Sequence, residues 1–437
     1  MKASRLLTMA TSREAVSLVI RITWGGASFA ISMLLARQLG PQSYGMVALI
    51  LSWLLLLIGV VRIAVVNLLV REVAALYQAS AFGKLHGLLR SALVFVVIAA
   101  LAISLAAIVL SGPAAIAMDG QNRMLLFAGL PVLLFIGLMA AIEAVTRGFG
   151  NVVRGQIGEY VVRPVSLLMI AALLVLGPAG LDLTPLSAMG AYSVSALLAA
   201  AAAWCLRDKQ KLQIVASQPA SYEARNWIKS GVAMSAAGVL GMLNIQATPI
   251  LLGILSTKSD VAHFQIASQL AFLVSLMLAV MNSVQGADIS RAFATNDIKQ
   301  LQLLAIRSCR VSLAFASACA LVYLVLGRQM IDLFLGHAYD GLYPVLLVIT
   351  LGNFINSISG SAGLLMISCR QENEVVKALL YAFVANIVGC VLLIPWLGAL
   401  GGGISAALQL AVWNTILVVK VRQKTGIWSL PIVSRPA

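Results

Sequence analysis

Charge is what this sequence has least of. Asp, Glu, Lys and Arg make up 10% of its 437 residues, against about 25% in ordinary soluble domains. Hydrophobic residues make up 61% and the mean hydropathy is +0.98, more apolar surface than folding alone can hide from water. Long polar stretches are missing too, which excludes a membrane-anchored enzyme with its chemistry in a separate aqueous domain. The three histidines (His86, His263, His337) lie far apart, and the five cysteines contain no C-x-x-C pair, so neither a metal site nor a disulfide framework is expected, and no cofactor is implied. A G-x-x-x-x-G-K-[ST] loop is absent; hydrolysis of ATP by this chain is not expected.

Acids are half as numerous as bases, 15 against 30, for a net charge of +15. In a soluble protein that balance would suggest nucleic acid; here the distribution explains it differently and nucleic acid is not an expected partner. Apolar runs between polar breaks predict helices near 14–38, 42–70, 87–112, 123–149, 155–177 and 184–206, then near 227–256, 260–286, 305–327, 342–368, 374–397 and 400–422. Each suits the about 20 residues needed to cross about 30 Å of hydrocarbon. With the N-terminus inside, Arg37, Arg123, Lys258 and Arg328 fall at the outer side and Arg21 and Arg62 within spans. All other bases lie at the inner side, as the positive-inside rule requires. Both termini are therefore expected in the cytoplasm, and the basic stretch Met1 to Arg13 reads as an amphipathic lead-in without a cleavable signal.

The expected fold is all-α, a polytopic membrane protein of about twelve spans in two six-helix bundles. The longest cytoplasmic connection, 207–226, carries Pro219 and separates an N-terminal bundle (1–206) from a C-terminal bundle with a short tail (227–437). Arg71-Glu72-Val73-Ala74 after the second helix is echoed by Ala287-Asp288-Ile289-Ser290 after the eighth. Gly190-Ala191-Tyr192-Ser193 is echoed at a similar offset by Gly401-Gly402-Gly403-Ile404. An even number of helices per copy makes the repeat parallel, and transporters built this way bind substrate near the midplane.

Leu34-Leu35-Ala36-Arg37-Gln38-Leu39-Gly40-Pro41-Gln42-Ser43-Tyr44-Gly45 resembles the signature of polysaccharide biosynthesis flippases, a branch of the multidrug/oligosaccharidyl-lipid/polysaccharide exporter superfamily. Glu143-Ala144-Val145-Thr146-Arg147-Gly148, followed by Arg154 and Arg163-Pro164, is similar to the basic connection between the fourth and fifth helices of that branch. The resemblance implies a non-enzymatic flippase of a bacterial inner membrane. It would move an undecaprenyl-pyrophosphate-linked oligosaccharide outward by alternating access, for O-antigen or exopolysaccharide synthesis. Its implied partners are the lipid-linked oligosaccharide, the bilayer, a polysaccharide polymerase and glycosyltransferases. Lipid II flippases typically have fourteen helices, two more than expected here. The drug-exporting branch usually carries a buried acid in its first helix, where this chain has Arg21. A cation-coupled drug or metabolite exporter and a membrane polysaccharide polymerase or glycosyltransferase are the alternatives.

Intramembrane ionisable residues are functional candidates because burying a charge in lipid costs about 2.5–3.5 kcal/mol on insertion scales. At 1.5 Å per residue, Arg21, Arg62 and Arg163 sit about 10–14 Å from the cytoplasmic helix ends. Guanidinium forks match phosphate oxygens bidentately, so the three are candidate pyrophosphate ligands. Glu159 lies four residues before Arg163 and Glu143 four before Arg147, spacing that predicts local ion pairs; Arg21 and Arg62 have no helical carboxylate neighbour at their depth. Trp24, one turn past Arg21, is a candidate sugar-stacking residue. On the tenth helix Asn353, Asn356, Ser357 and Gly360 form a stripe, and the eighth repeats Ser268, Ser275 and Asn282. Asn353 and Asn356 are candidate ligands for sugar hydroxyls, although such residues also glue helices together.

Overall fold

The computed structural model describes residues 13–111, 120–177, 183–369 and 371–428, and every regular element among them is a helix. By length and composition ten helices can cross a membrane, or eleven if the bent pair Leu342–Ile358 and Ala362–Ser368, 44° apart, is one span. The first of the ten runs Thr23–Gln78 over 56 residues, far beyond the about 25 that one span uses. Gly40 breaks it with φ 72 and ψ 169, a conformation that glycine adopts without steric cost. Pro41 then opens the second half, where its missing N–H is no loss. We label the two parts α1 (13–39) and α2 (41–78); with them the about twelve expected spans are accounted for.

The remaining helices are α3 (Phe82–Leu110), α4 (Gly120–Gly148), α5 (Arg163–Leu176), α6 (Pro185–Leu206), α7 (Lys209–Ala216) and α8 (Ala224–Leu255). They continue as α9 (Lys258–Ala294), α10 (Ile298–Phe334), α11 (Leu342–Ile358), α12 (Ala362–Ser368), α13 (Glu372–Leu397) and α14 (Ala399–Thr425). Two expected helices differ from a plain rod. The fifth, expected from 155, opens with a 3-10 turn at Arg154–Gln156 and a π-helical turn at Gly158–Val162 before α5 begins. The tenth is interrupted between α11 and α12, where Gly360 has φ 60.

Packing divides the chain into two compact units, one of Met1–Leu39 with Ile50–Met242 and the other of Gly40–Leu49 with Leu243–Ala437. The division does not follow the expected boundaries at 206 and 227. Within the first unit the connection 207–226 is itself structured: α7 lies in it, Lys211 Nζ donates to Phe149 O at 2.8 Å, and Ser221 N–H donates to Gly83 O at 2.9 Å. Val215 of α7 and Trp227 of α8 belong to the same core as Leu69, Leu85, Leu88 and Phe149. Apolar burial of this kind, worth roughly 1.5–3 kcal/mol per large side chain, makes the connection part of the unit.

Close helix approach in the first unit relies on small residues. Ala188, Ala191, Ser195, Ala199 and Ala203 of α6 are buried, and a Cβ on Gly129 of α4 would stand 2.7 Å from Leu54 and 3.0 Å from Met189. The second unit is tied at one end by Asp260. Its carboxylate accepts from Ser256 Oγ at 2.5 Å, closes a capping box with Thr257 and accepts from Ala399 N–H of α14 at 3.1 Å. Leu101, Leu105 and Val109 of α3 and Val388, Val391 and Leu392 of α13 are exposed, apolar rows of the kind that lipid covers.

Candidate functional site

Two of the charged residues expected within the inner half of the membrane, Arg62 and Arg163, meet in the first unit around a carboxylate that spacing alone assigned elsewhere. Arg62 of α2 forms an ion pair with Glu159 of the π turn. Arg62 has no carboxylate neighbour along its own helix, and its partner comes from another helix. Arg163 is within electrostatic reach of Glu159 but outside pairing distance, contrary to the expected pair. The physical reason is the π turn. A wide turn inserts a residue into the α-helical register, so positions 159 and 163 do not stack as the i and i+4 of a regular helix would.

Glu143 anchors that turn from α4. Only 2% exposed, its carboxylate accepts the Glu159 N–H at 3.0 Å and also faces the Gly158 N–H. These are amides that a π turn leaves for outside acceptors. The expected side-chain pair of Glu143 with Arg147 is not what forms; Arg147 Nε donates to the backbone carbonyl of Glu143 at 3.4 Å. Two glycines permit the approach. A Cβ on Gly155 would stand 2.6 Å from Arg147 Cγ and 2.7 Å from Glu143 O, and one on Gly158 would stand 2.8 Å from Glu143 Oε1 and 2.9 Å from Ala199 O.

Trp24 of α1 meets Tyr160, the residue after Glu159, edge to face with ring centroids 5.8 Å apart and planes at 88°. Its indole is thus engaged by an aromatic neighbour and not by an open face alone. Arg62, Arg163 and Trp24 are brought together through the π turn. The side chain of Arg21, like residues 1–12, lies outside the described part of the structure.

Asn353 and Asn356 lie in the second unit, and both join helices there. Asn353 Oδ1 accepts from Ser275 Oγ of α9 at 3.0 Å while its Nδ2 donates to Ile349 O at 3.1 Å. Asn356 Oδ1 accepts from Asn414 Nδ2 of α14 at 3.1 Å. A third polar contact, between Thr248 of α8 and Asn386 of α13, is fully buried, with Asn386 Nδ2 donating to Thr248 Oγ1 at 3.1 Å. These bonds are interhelical glue of the kind membrane helices use.

Sequence reasoning missed Glu159 as the partner of Arg62, and Tyr160 altogether. The available signal was the cluster of Gly155 and Gly158 before Arg163-Pro164, a pattern that breaks helical register. It also took the histidines as too scattered to gather ligands. The structure brings Asp332, His337 and Asp340 together on an exposed segment, ligand atoms within 4.8 Å of one another; such exposed groupings are common without an ion.

No protein-family model matches this chain, and no curated protein matches it. Solved structures do. One is the inward-facing conformation of a multidrug resistance MATE family transporter of the MOP superfamily, at TM-score 0.77 and 14% identity, with 95% of this chain and 98% of that chain covered. Lipid II flippase MurJ in an inward closed conformation is similar at TM-score 0.72 and 13% identity, with 93% and 86% covered. A MOP superfamily transporter from Pyrococcus furiosus Vc1, described as having a binding pocket of reverse polarity, is similar at TM-score 0.66 and 12% identity, with 96% and 97% covered. At these identities the likeness establishes the fold, that of MOP superfamily transporters and flippases, in a multi-pass membrane protein.

Proposed function

We propose that this protein is a flippase of a bacterial inner membrane, with both termini in the cytoplasm, moving an undecaprenyl-pyrophosphate-linked oligosaccharide outward by alternating access for O-antigen or exopolysaccharide synthesis. The observation that carries the reading is the placing of Arg62 and Arg163 about the single carboxylate of Glu159, the first paired with it and the second within electrostatic reach. A lone carboxylate does not use two guanidinium groups fully, whereas a pyrophosphate offers bidentate acceptors to both. Trp24 supplies an aromatic edge for the first sugar. The Gly40-Pro41 signature and a lipid II flippase among the similar folds support the same substrate class. A polymerase and glycosyltransferases would be its pathway partners.

The second reading is a cation-coupled drug or metabolite exporter, favoured by the MATE folds and by the buried carboxylate of Glu143. The deciding experiment measures polysaccharide export in a strain lacking the native protein, at matched protein levels. Arg62→Gln should impair export by at least tenfold, and Arg62→Lys, a point charge without the fork, should restore part of it. Full export by Arg62→Gln would remove Arg62 from the anion site, whereas failure of the wild type to restore export, with uptake of a hydrophobic cation by vesicles containing the purified protein, would overturn the flippase reading in favour of the exporter.

A further inference from the structure

Arg62 is paired with a carboxylate of its own chain, and that changes what a ligand must do to bind. The carboxylate on it belongs to Glu159, whose backbone is pinned by Glu143 through the 3.0 Å hydrogen bond to its N–H. Backbone and side chain are therefore held separately: the π turn is fixed from α4, while the carboxylate reaches across to α2 on rotatable bonds. The Arg62 and Glu159 side chains remain partly accessible, at 33% and 17%, so the pair can open without unfolding the unit. Arg163 stands by, close to Glu159 and outside pairing distance.

We propose that Glu159 is a built-in competing anion, a specificity residue that occupies Arg62 until a pyrophosphate headgroup displaces it. This rests on the flippase reading of the same site. A monophosphate headgroup has a single phosphoryl group and fewer acceptor oxygens, and exchanges with an intramolecular carboxylate whose effective concentration is on the order of millimolar. A pyrophosphate diester carries two charges and enough oxygens to span Arg62 and Arg163 together, so it can contact both guanidinium groups directly, whereas Glu159 pairs with Arg62 and reaches Arg163 only through space. The displaced carboxylate stays tethered beside Arg62 by the turn that Glu143 holds. When the pyrophosphate leaves, Glu159 returns to Arg62 and prevents rebinding. Selectivity for the diphosphate and prompt release thus come from one residue, at some expense in affinity.

The test uses the full chain, purified in detergent, with farnesyl pyrophosphate and farnesyl monophosphate as probes, read by titration calorimetry. Glu159→Gln should bind the pyrophosphate roughly tenfold more tightly, a change of about 1.4 kcal/mol. It should bind the monophosphate with a larger gain, narrowing the ratio between the two probes. In cells the same variant should export polysaccharide more slowly, because release is no longer assisted. Glu159→Asp, which keeps the charge but shortens its reach, should fall between the two, and it answers by the same sign if the Gln variant does not accumulate. Unchanged or weaker pyrophosphate affinity in folded variants, with Arg62-dependent binding in the wild type, would overturn the competing-anion role and leave the flippase reading standing. Absence of binding by both the wild type and the Glu159 variants would overturn both.

Discussion

Glu143 reaches from α4 to the backbone of Glu159, accepting its N–H at 3.0 Å, while the side chain of Glu159 crosses to Arg62 on α2. Two carboxylates thus divide the work at one turn, one holding the main chain and the other engaging a cation. Removing the first leaves buried amides without an acceptor, at a cost of about 1–3 kcal/mol for such a group. Glu143→Ala is accordingly expected to lower the melting temperature of the purified protein, and Glu143→Gln, which retains a carbonyl oxygen, to lose less. Equal melting of the Ala variant and the wild type would show that the turn does not depend on Glu143.

Gly158 offers a stricter check on the same packing. A Cβ there meets Glu143 Oε1 at 2.8 Å and the Ala199 carbonyl at 2.9 Å, and backbone oxygen has little room to retreat. Overpacking of this kind costs typically about 1–3 kcal/mol, so Gly158→Ala should reduce thermal stability and weaken the Arg62–Glu159 pair. Gly241→Ala, at a position with nothing within 4 Å, is the control. It should be neutral or slightly stabilising because alanine favours helix over glycine by about 1 kcal/mol. Similar melting shifts for both variants would mean that the approach of α4 and α6 to the turn is looser than described.

For Asn353 and Asn356 the hydrogen bonds to Ser275 and Asn414 predict a structural signature. Interhelical polar contacts in membranes are worth on average about 0.6 kcal/mol, and at most about 1.7. Asn353→Ala and Ser275→Ala should each destabilise by amounts of that order, with the double variant losing less than their sum. A variant that melts like the wild type and binds farnesyl pyrophosphate equally, yet exports polysaccharide less well, would instead place Asn353 among the sugar ligands.

The connection before α8 should respond to pH. Lys84 Nζ donates to Glu223 at 2.6 Å, and this bond, with a further one from Asn226, holds the Glu223 carboxyl below its ordinary value. A depressed carboxylate pKa contributes stability that is fully present above the unfolded value and lost as pH falls through the folded one. Protection of the Ser221 N–H, bonded to Gly83 O at 2.9 Å, should therefore be complete at neutral pH and decline below the usual carboxylate range, after correction for intrinsic exchange rates. Glu223→Gln should flatten that decline; an identical profile in the variant would remove Glu223 from the account.

The sequence by itself determined the elements that depend on solvent and local backbone: apolar runs long enough to span lipid, and the break at Gly40-Pro41 where φ turns positive. It also set Arg21, Arg62 and Arg163 at a similar depth, because depth along a helix follows from the rise per residue. Tertiary structure alone decided the partner of Arg62. An i, i+4 rule assumes unbroken α-helical register, and the π turn at Gly158–Val162 breaks it, sending Glu159 to Arg62 from a position 97 residues away in sequence. The fate of the 207–226 connection was likewise beyond local pattern. Its charge and Pro219 read as a linker, yet Val215 and the neighbouring Trp227 are buried in the first unit's core, because complementary apolar surface on α2, α3 and α4 becomes visible only once the helices pack.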